Sequence, residues 1–252
     1  MNSISYIKPT AKYPNGLVVS GGQDMLIYVF DPINLDPIFT LVGHTSNVCT
    51  LATQGDEIIS GSWDKTARVW KDGNCVNCLI GHDAAVWGVL FLDKLKVTSS
   101  ADKTIRIWSG DQCQQIIQAH QDVVRGLTNI NNGFASCSND GLIKVWSAKG
   151  ELDVEMHGHT SFVYGVATLE NGDLISCGED RTVRVWRDGN LIQTLTQPCV
   201  SVWAVAALAN GDLVAGGSDG KIRSFTRSLD RLASDDILKV HAELVAHSSI
   251  PS

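Results

Sequence analysis

The sequence has no surplus of positive charge: 20 Lys and Arg stand against 27 Asp and Glu, a formal net charge of -7. That balance argues against nonspecific binding to nucleic acid or to an anionic membrane, because both need an excess of Lys and Arg. No uninterrupted apolar run approaches the roughly 18–20 residues of a membrane-spanning helix. The opening MNSISYIKPTAKYPNG has neither the basic start nor the apolar centre of a secretory signal peptide. The seven cysteines are odd in number and scattered, which predicts reduced thiols in a cytoplasmic and nuclear protein. Cys75 and Cys78 form a lone CxxC without a second pair nearby. Zinc needs four ligands, so half-buried strand thiols are the expectation and no metal or cofactor is expected. There is no glycine loop suited to a phosphate and no helical pattern before residue 230. What the sequence does have, in 252 residues, is 44% hydrophobic content, 23 glycines and seven tryptophans, enough for a sizeable core.

An internal repeat explains the glycines and most of the tryptophans. Gly-His pairs stand at Gly43-His44, Gly81-His82 and Gly158-His159, and Ala119-His120 fills the gap. An aspartate recurs at Asp24, Asp64, Asp102, Asp140, Asp180 and Asp219, in steps of 40, 38, 38, 40 and 39 residues. Six residues after each comes an aromatic: Phe30, Trp70, Trp108, Trp146, Trp186 and Phe225. Four residues before it stand Ser20, Ser60, Thr98, Ser136, Ser176 and the exception, Ala215. Short apolar or alternating runs between turn residues, such as DEIISGS and TARVW, read as strand-turn-strand. Together these are the signature of WD repeats, and they predict an all-β propeller with six blades in this chain.

The repeated residues have a structural task. The histidine is expected to link the turn aspartate to the strand Ser or Thr, with the tryptophan closing a buried polar network that must be fully satisfied. Four sets are complete: His44, Ser60, Asp64, Trp70; His82, Thr98, Asp102, Trp108; His120, Ser136, Asp140, Trp146; and His159, Ser176, Asp180, Trp186. The first and sixth modules are degenerate, and Gln197-Pro198 stands where Gly-His is due. A Ser-His-Asp trio normally invites a hydrolase reading. Here it recurs once per blade beside a tryptophan, so no catalytic residue is expected and the protein reads as a non-enzyme.

Residues 1–228 are expected to form the propeller and 229–252 a linker helix and tail. The helix is expected to be capped by an aspartate and packed on the propeller, with Leu232, Ile237, Leu238, Val240, Leu244 and Val245 as its apolar positions. The last blade has three strands, near 200–207, 212–217 and 221–226. Two readings follow. Either the propeller has six blades with a three-stranded last one, or an N-terminal segment of about one blade, roughly 50 residues on the repeat length, is missing.

WD propellers bind partners on their narrow face, built from the start of each inner strand and the residue before the turn aspartate. The three tryptophans outside the tetrads, Trp63, Trp87 and Trp203, fall on that face. Arg125, Phe162, Tyr164, Glu179 and Asn139 join them as candidate partner-binding residues. Large aromatics with an arginine are what interface hot spots look like. Aromatics there can equally fill the channel mouth, Arg125 can pair with a neighbouring acid, and Glu179 and Asn139 can be solvated turn residues.

Several stretches carry a more specific likeness: SGSWDKTARVW, SSADKTIRIW, DVVRGL, SCSNDGLIKVW, SFVYGV, SCGEDRTVRVW, SVWAV, NGDLVAGGSDG and the RLASDDI tail. Over nearly all of residues 2–245 the sequence resembles the phospholipase A-2-activating protein family, and YIKPTAKYPNGLVVSGGQD resembles that family's second blade. The resemblance implies a seven-bladed, ubiquitin-binding propeller whose first blade is absent here. It also implies two domains absent here: a second ubiquitin-binding domain, then a helical-repeat domain that docks on a hexameric AAA segregase. The expected partners are therefore ubiquitin or ubiquitin chains, in ubiquitin-dependent degradation, with no nucleic acid and no membrane. The alternative is a general WD-repeat scaffold for another protein.

Overall fold

The computed structural model describes residues 3–7, 16–226 and 233–247. Among them the chain forms five four-stranded sheets, one three-stranded sheet and one helix. The strands are antiparallel and each sheet follows chain order. The first sheet holds β1 (Ser3–Ile7), β2 (Leu17–Gly21), β3 (Ile27–Phe30) and β4 (Pro37–Leu41). The second holds β5 (Val48–Gln54), β6 (Glu57–Ser62), β7 (Ala67–Lys71) and β8 (Asn74–Leu79). The third holds β9 (Val86–Leu92), β10 (Leu95–Ser100), β11 (Thr104–Ser109) and β12 (Gln112–Gln118). The fourth holds β13 (Val124–Ile130), β14 (Gly133–Ser138), β15 (Ile143–Ser147) and β16 (Leu152–Met156). The fifth holds β17 (Val163–Thr168), β18 (Leu174–Gly178), β19 (Thr182–Arg187) and β20 (Asn190–Thr196), and the sixth β21 (Val202–Ala207), β22 (Leu213–Gly217) and β23 (Ile222–Phe225). These are the blades of a six-blade β-propeller. The chain divides into two compact units, Met1–Leu127 and Thr128–Ser252, with the boundary inside β13.

Local chemistry places the strands. The residue after each repeated aspartate has a left-handed backbone: Met25, Lys65, Lys103, Gly141, Arg181 and Gly220. It ends a turn in which, for example, Lys65 N–H donates to the Ser62 carbonyl. Gly141 and Gly220 adopt that conformation without a steric cost, whereas the other four carry a side chain there. Buried valines recur at the start of the inner strands: Val48, Val86, Val124, Val163 and Val202. Within the first unit the core packs Val29, Val48 and Trp70 in one cluster and Val69, Val86 and Trp108 in another. Within the second, Cys137, Val163 and Trp186 form one cluster and Cys177, Val202 and Leu213 another. Burying one indole removes about 200 Å² from water, worth about 5 kcal/mol as an upper estimate.

The helix α1 (Asp235–His247) differs from expectation at its start. Leu238 N–H donates to the Ser234 carbonyl, so Ser234 takes the capping position and Asp235 is the first helical residue. Ile237, Leu238, Val240 and Leu244 are exposed, so most of the apolar stripe is bare. Leu232 lies outside the described residues. No helix among the described residues is long and apolar enough to cross a membrane, a test that does not address β-barrels.

Candidate partner-binding site

The repeated polar residues converge as hydrogen-bonded sets. His44 Nδ1 lies 2.7 Å from Asp64 Oδ2 and its Nε2 2.7 Å from Ser60 Oγ, which also accepts the Trp70 indole N–H at 2.8 Å. Because Asp64 can only accept, Nδ1 carries the proton and Nε2 accepts from the serine hydroxyl. His82 bridges Asp102 and Thr98 at 2.7 Å each, and Trp108 donates to Thr98 at 2.9 Å. His159 bridges Asp180 at 2.8 Å and Ser176 at 2.7 Å, with Trp186 donating to Ser176 at 2.8 Å. In the fourth sheet Trp146 donates to Ser136 at 2.8 Å, and Asp140 Oδ1 accepts the Leu142 N–H at 3.0 Å; His120 is buried.

Burial pushes the Asp64, Asp102 and Asp180 carboxyls up. The hydrogen bonds from His44, His82 and His159, joined by Thr66, Thr104 and Thr182, outweigh it and hold all three well below the ordinary carboxylate range. The distances are those of a hydrolytic trio, but Ser60, Thr98 and Ser176 are 0% exposed and each is capped by an indole. A substrate atom has no path to them.

The glycine before each histidine is explained by its neighbours. A methyl group on Gly158 would lie 2.9 Å from both Arg184 Nη1 and Trp186 Cη2, and one on Gly43 would lie 3.0 Å from Trp70 Cη2 and 3.1 Å from Arg68 Nη1. The repeat with Ala119 in place of glycine also has Lys144 in place of the arginine, and Lys144 is drawn to Glu155 at 2.9 Å. Near the sixth blade's turn the buried histidine is gone. Arg223 Nη2 holds Asp219 Oδ2 at 2.6 Å, depressing that carboxyl, and Cys199 and Gln197 are buried nearby in the chain.

Three of the candidate partner-binding residues share a backbone feature that sequence patterning did not reveal. In β5, Val48 pairs with Ser62 and Thr50 with Gly61, leaving Cys49 out of the ladder. In β9, Val86 pairs with Ser100 and Gly88 with Ser99, leaving out Trp87. In β17 the residue left out is Tyr164, and in β21 it is Trp203. These are β-bulges, which re-aim a side chain away from the alternating pleat. After three of the four bulges the next residue is small, Gly88, Gly165 or Ala204. A methyl on Gly165 would sit 3.9 Å from Ala204 Cα, and one on Gly88 would sit 3.3 Å from Leu127 N, so neighbouring inner strands run close together. The VWG, VRG, VYG and VWA triplets at 86–88, 124–126, 163–165 and 202–204 were the available signal. The turn residues are tied to the same strand starts: Trp63 N–H donates to Asn47 O, Ala101 to Ala85, Glu179 to Phe162 and Ser218 to Ser201.

Two clusters result, one in each unit. In the first, Trp63 and Trp87 lie with ring centroids 5.7 Å apart, and the Arg125 guanidinium sits 4.5 Å from the Trp87 ring centroid, a cation–π distance. Beside them Cys49 Sγ lies 2.9 Å from Val86 O, and burial pushes its thiol up to about 12. In the second, Phe162 and Tyr164 meet edge to face at 6.4 Å, Trp203 Nε1 donates to Ser201 Oγ at 2.6 Å, and Ser161 Oγ donates to Glu179 Oε2 at 3.1 Å. Trp63 is 46% exposed, Phe162 38% and Trp203 51%. Asn139 is half-buried at the β14–β15 turn. Among the described residues no group of His, Cys, Asp and Glu is placed to hold a metal ion.

Comparison with known proteins agrees with the fold. The WD domain, G-beta repeat family matches residues 35–71, 73–109, 111–147, 150–187 and 189–225. Each match takes the outer strand of one blade with three strands of the next. The ubiquitin homeostasis protein lub1 of Schizosaccharomyces pombe is 46% identical over 100% of this chain, which spans 36% of that protein. Phospholipase A-2-activating protein of Xenopus laevis is 40% identical over 36% of the chain, covering 12% of its own length. The crystal structure of the WD40 beta propeller domain of Doa1 superimposes with a TM-score of 0.84 at 42% identity, covering 92% of this chain and 81% of that one. On its repeats, its fold and these relatives, the chain belongs to the WD-repeat proteins and, among them, to the phospholipase A-2-activating protein family.

Proposed function

We propose that this chain is a non-enzymatic, ubiquitin-binding WD-repeat module that works in ubiquitin-dependent protein degradation in the cytoplasm and nucleus. The observation that carries the reading is the bulge-borne set of aromatics. Trp87, Tyr164 and Trp203 are lifted out of their ladders; in the first unit Trp87 lies against Trp63 and Arg125, and in the second Phe162 and Trp203 are exposed in the unit that also carries Glu179 and Asn139. Large rigid aromatics lose little entropy on binding and dominate interface energies. Ubiquitin, with an apolar patch ringed by basic residues, suits such a surface on an acidic protein. The name of the fission-yeast relative, a ubiquitin homeostasis protein matched along the whole chain, supports the same reading. Within this reading, engagement of an AAA segregase is not assigned to the propeller.

The test is a titration of isotope-labelled ubiquitin with the 252-residue chain, followed by NMR. Localised shifts on ubiquitin's apolar patch, weakened by Trp87→Ala or Trp203→Ala, are expected. A folded chain that moves no ubiquitin resonance sinks the reading and leaves a scaffold for some other protein.

A further inference from the structure

The two aromatic clusters differ in charge, and the difference selects the partner's chemistry. The first carries its own cation: the Arg125 guanidinium already lies over the Trp87 ring. The second carries an anion. Glu179 is half-buried at the β18–β19 turn, and its N–H is fixed to the Phe162 carbonyl at 2.9 Å. Its carboxylate accepts one hydrogen bond, from the Ser161 hydroxyl at 3.1 Å, and among the described residues no Lys, Arg or His pairs with it. The apolar surface nearby is open: Phe162, Val200 and Trp203 are all exposed. β17 and β21 approach closely at Gly165 and Ala204, with Phe162 just before the first strand and Trp203 within the second. A carboxylate without a cation of its own, in the unit that exposes this apolar surface, offers a complementary charge to a partner whose apolar patch has a basic border.

We infer that Glu179 sets the specificity of this surface, by receiving a Lys or Arg that borders the partner's apolar patch while that patch lies on Phe162 and Trp203. The inference rests on the ubiquitin reading and deepens it: it fixes which cluster meets the basic edge. Arg125 then serves the first cluster as an internal partner of Trp87 rather than as the contact for that edge. Charge-assisted hydrogen bonds formed away from water are roughly twice as strong as neutral ones, and rim-to-core ion pairs of this kind govern both encounter and retention.

The experiment measures the affinity of the 252-residue chain for ubiquitin with Glu179→Gln and Glu179→Lys, at low and high salt. It is repeated with ubiquitin whose basic residues bordering the apolar patch are changed to glutamate. Glu179→Gln is expected to weaken binding by roughly tenfold and Glu179→Lys by more. The salt dependence should shrink in the Gln variant. The charge-altered ubiquitin should bind Glu179→Lys better than it binds the parent, a crossover that mere distortion of the turn cannot produce. Binding within twofold of the parent for both variants, or no crossover, overturns the inference while leaving ubiquitin binding standing. If the unaltered chain fails to bind ubiquitin at all, the functional reading falls and takes the inference with it.

Discussion

Asp180 and Asp219 occupy the same turn position in consecutive blades of one unit, yet the structure gives them unequal weight. Asp180 Oδ2 accepts from His159 Nδ1 at 2.8 Å and from Thr160 N–H at 3.2 Å, and Oδ1 accepts from Thr182 N–H at 3.1 Å and Thr182 Oγ at 2.7 Å. Its side chain is 5% exposed. Replacing it with alanine leaves Thr160 N–H to solvent but strands the His159 and Thr182 donors in a part-buried site, and a buried donor left unsatisfied costs about 1–3 kcal/mol. Allowing for partial relaxation, Asp180→Ala should cost about 3–5 kcal/mol, the range for breaking a buried charged network. Asp219 accepts from the Lys221 N–H and the Arg223 guanidinium, and its side chain is 25% exposed. Its donors turn to solvent when it is removed, so Asp219→Ala should cost about 1 kcal/mol or less. At about 2–4 °C per kcal/mol for a chain of this size, the melting temperature should fall on the order of 10 °C for the first variant and roughly 3 °C for the second. Thermal and urea unfolding followed by tryptophan fluorescence read both changes. Equal losses would refute the claim that the histidine network, rather than the turn itself, is what makes the aspartate matter.

Stability should also respond to acid. The Asp64, Asp102 and Asp180 carboxyls titrate below their unfolded value of about 3.9, so their contribution is complete above that value. It is lost as pH falls through their folded range, and urea midpoints taken from pH 6 to pH 2 should drop steeply only below about pH 4. Gly158→Ala should destabilise by about 1–2 kcal/mol because the added methyl meets Arg184 and Trp186 at 2.9 Å; pairing it with Arg184→Lys should recover part of the loss in the melting temperature. Gly178→Ala should prevent soluble expression or cost several kcal/mol, since its methyl would overlap the Phe162 backbone carbonyl, and normal yield with an unchanged melt would contradict that geometry. Trp203→Ala should lower ubiquitin affinity yet move stability by less than about 1 kcal/mol, because half of the indole is already in water.

What the sequence made legible were the residues that recur for a structural reason. The aspartate must close a turn and accept from a histidine, so it repeats at 38 to 40 residues with its Ser or Thr and its Trp, and each strand near it could be placed. The bulges were not legible in that way. A period of two places Trp87 and Trp203 on a strand face, but whether a residue is left out of the ladder depends on the partner strand's register. The small residue after each was visible as a triplet, though only the close approach of neighbouring inner strands gives it meaning. The sixth blade shows a second limit. Loss of the histidine was plain at Gln197-Pro198, but its substitute was not: Arg223 meets Asp219 at 2.6 Å, whereas in the fifth blade Arg184 reaches Asp180 only at 3.4 Å, beside the histidine. The cap of α1 moved from an aspartate to Ser234 because Ser, Asp and Asp stand in succession there, and composition alone does not choose among capping residues.

The bulge also separates two demands on the same strand. Val86, Val163 and Val202 must be buried to hold the blades, and their neighbours in the ladder must be small so that strands can approach. The residue between them stands outside the ladder register, so its side chain does not have to follow the alternation of the pleat. Cys49, Trp87, Tyr164 and Trp203 are accordingly diverse in chemistry, while the valine before each stays fixed. A fold built this way can change what it binds by altering one position per blade without disturbing the buried hydrogen-bond networks. The proposed assignment of specificity to Glu179 fits that division: the proposed binding residues sit on turns and bulges, and stability sits on the tetrads and the valines.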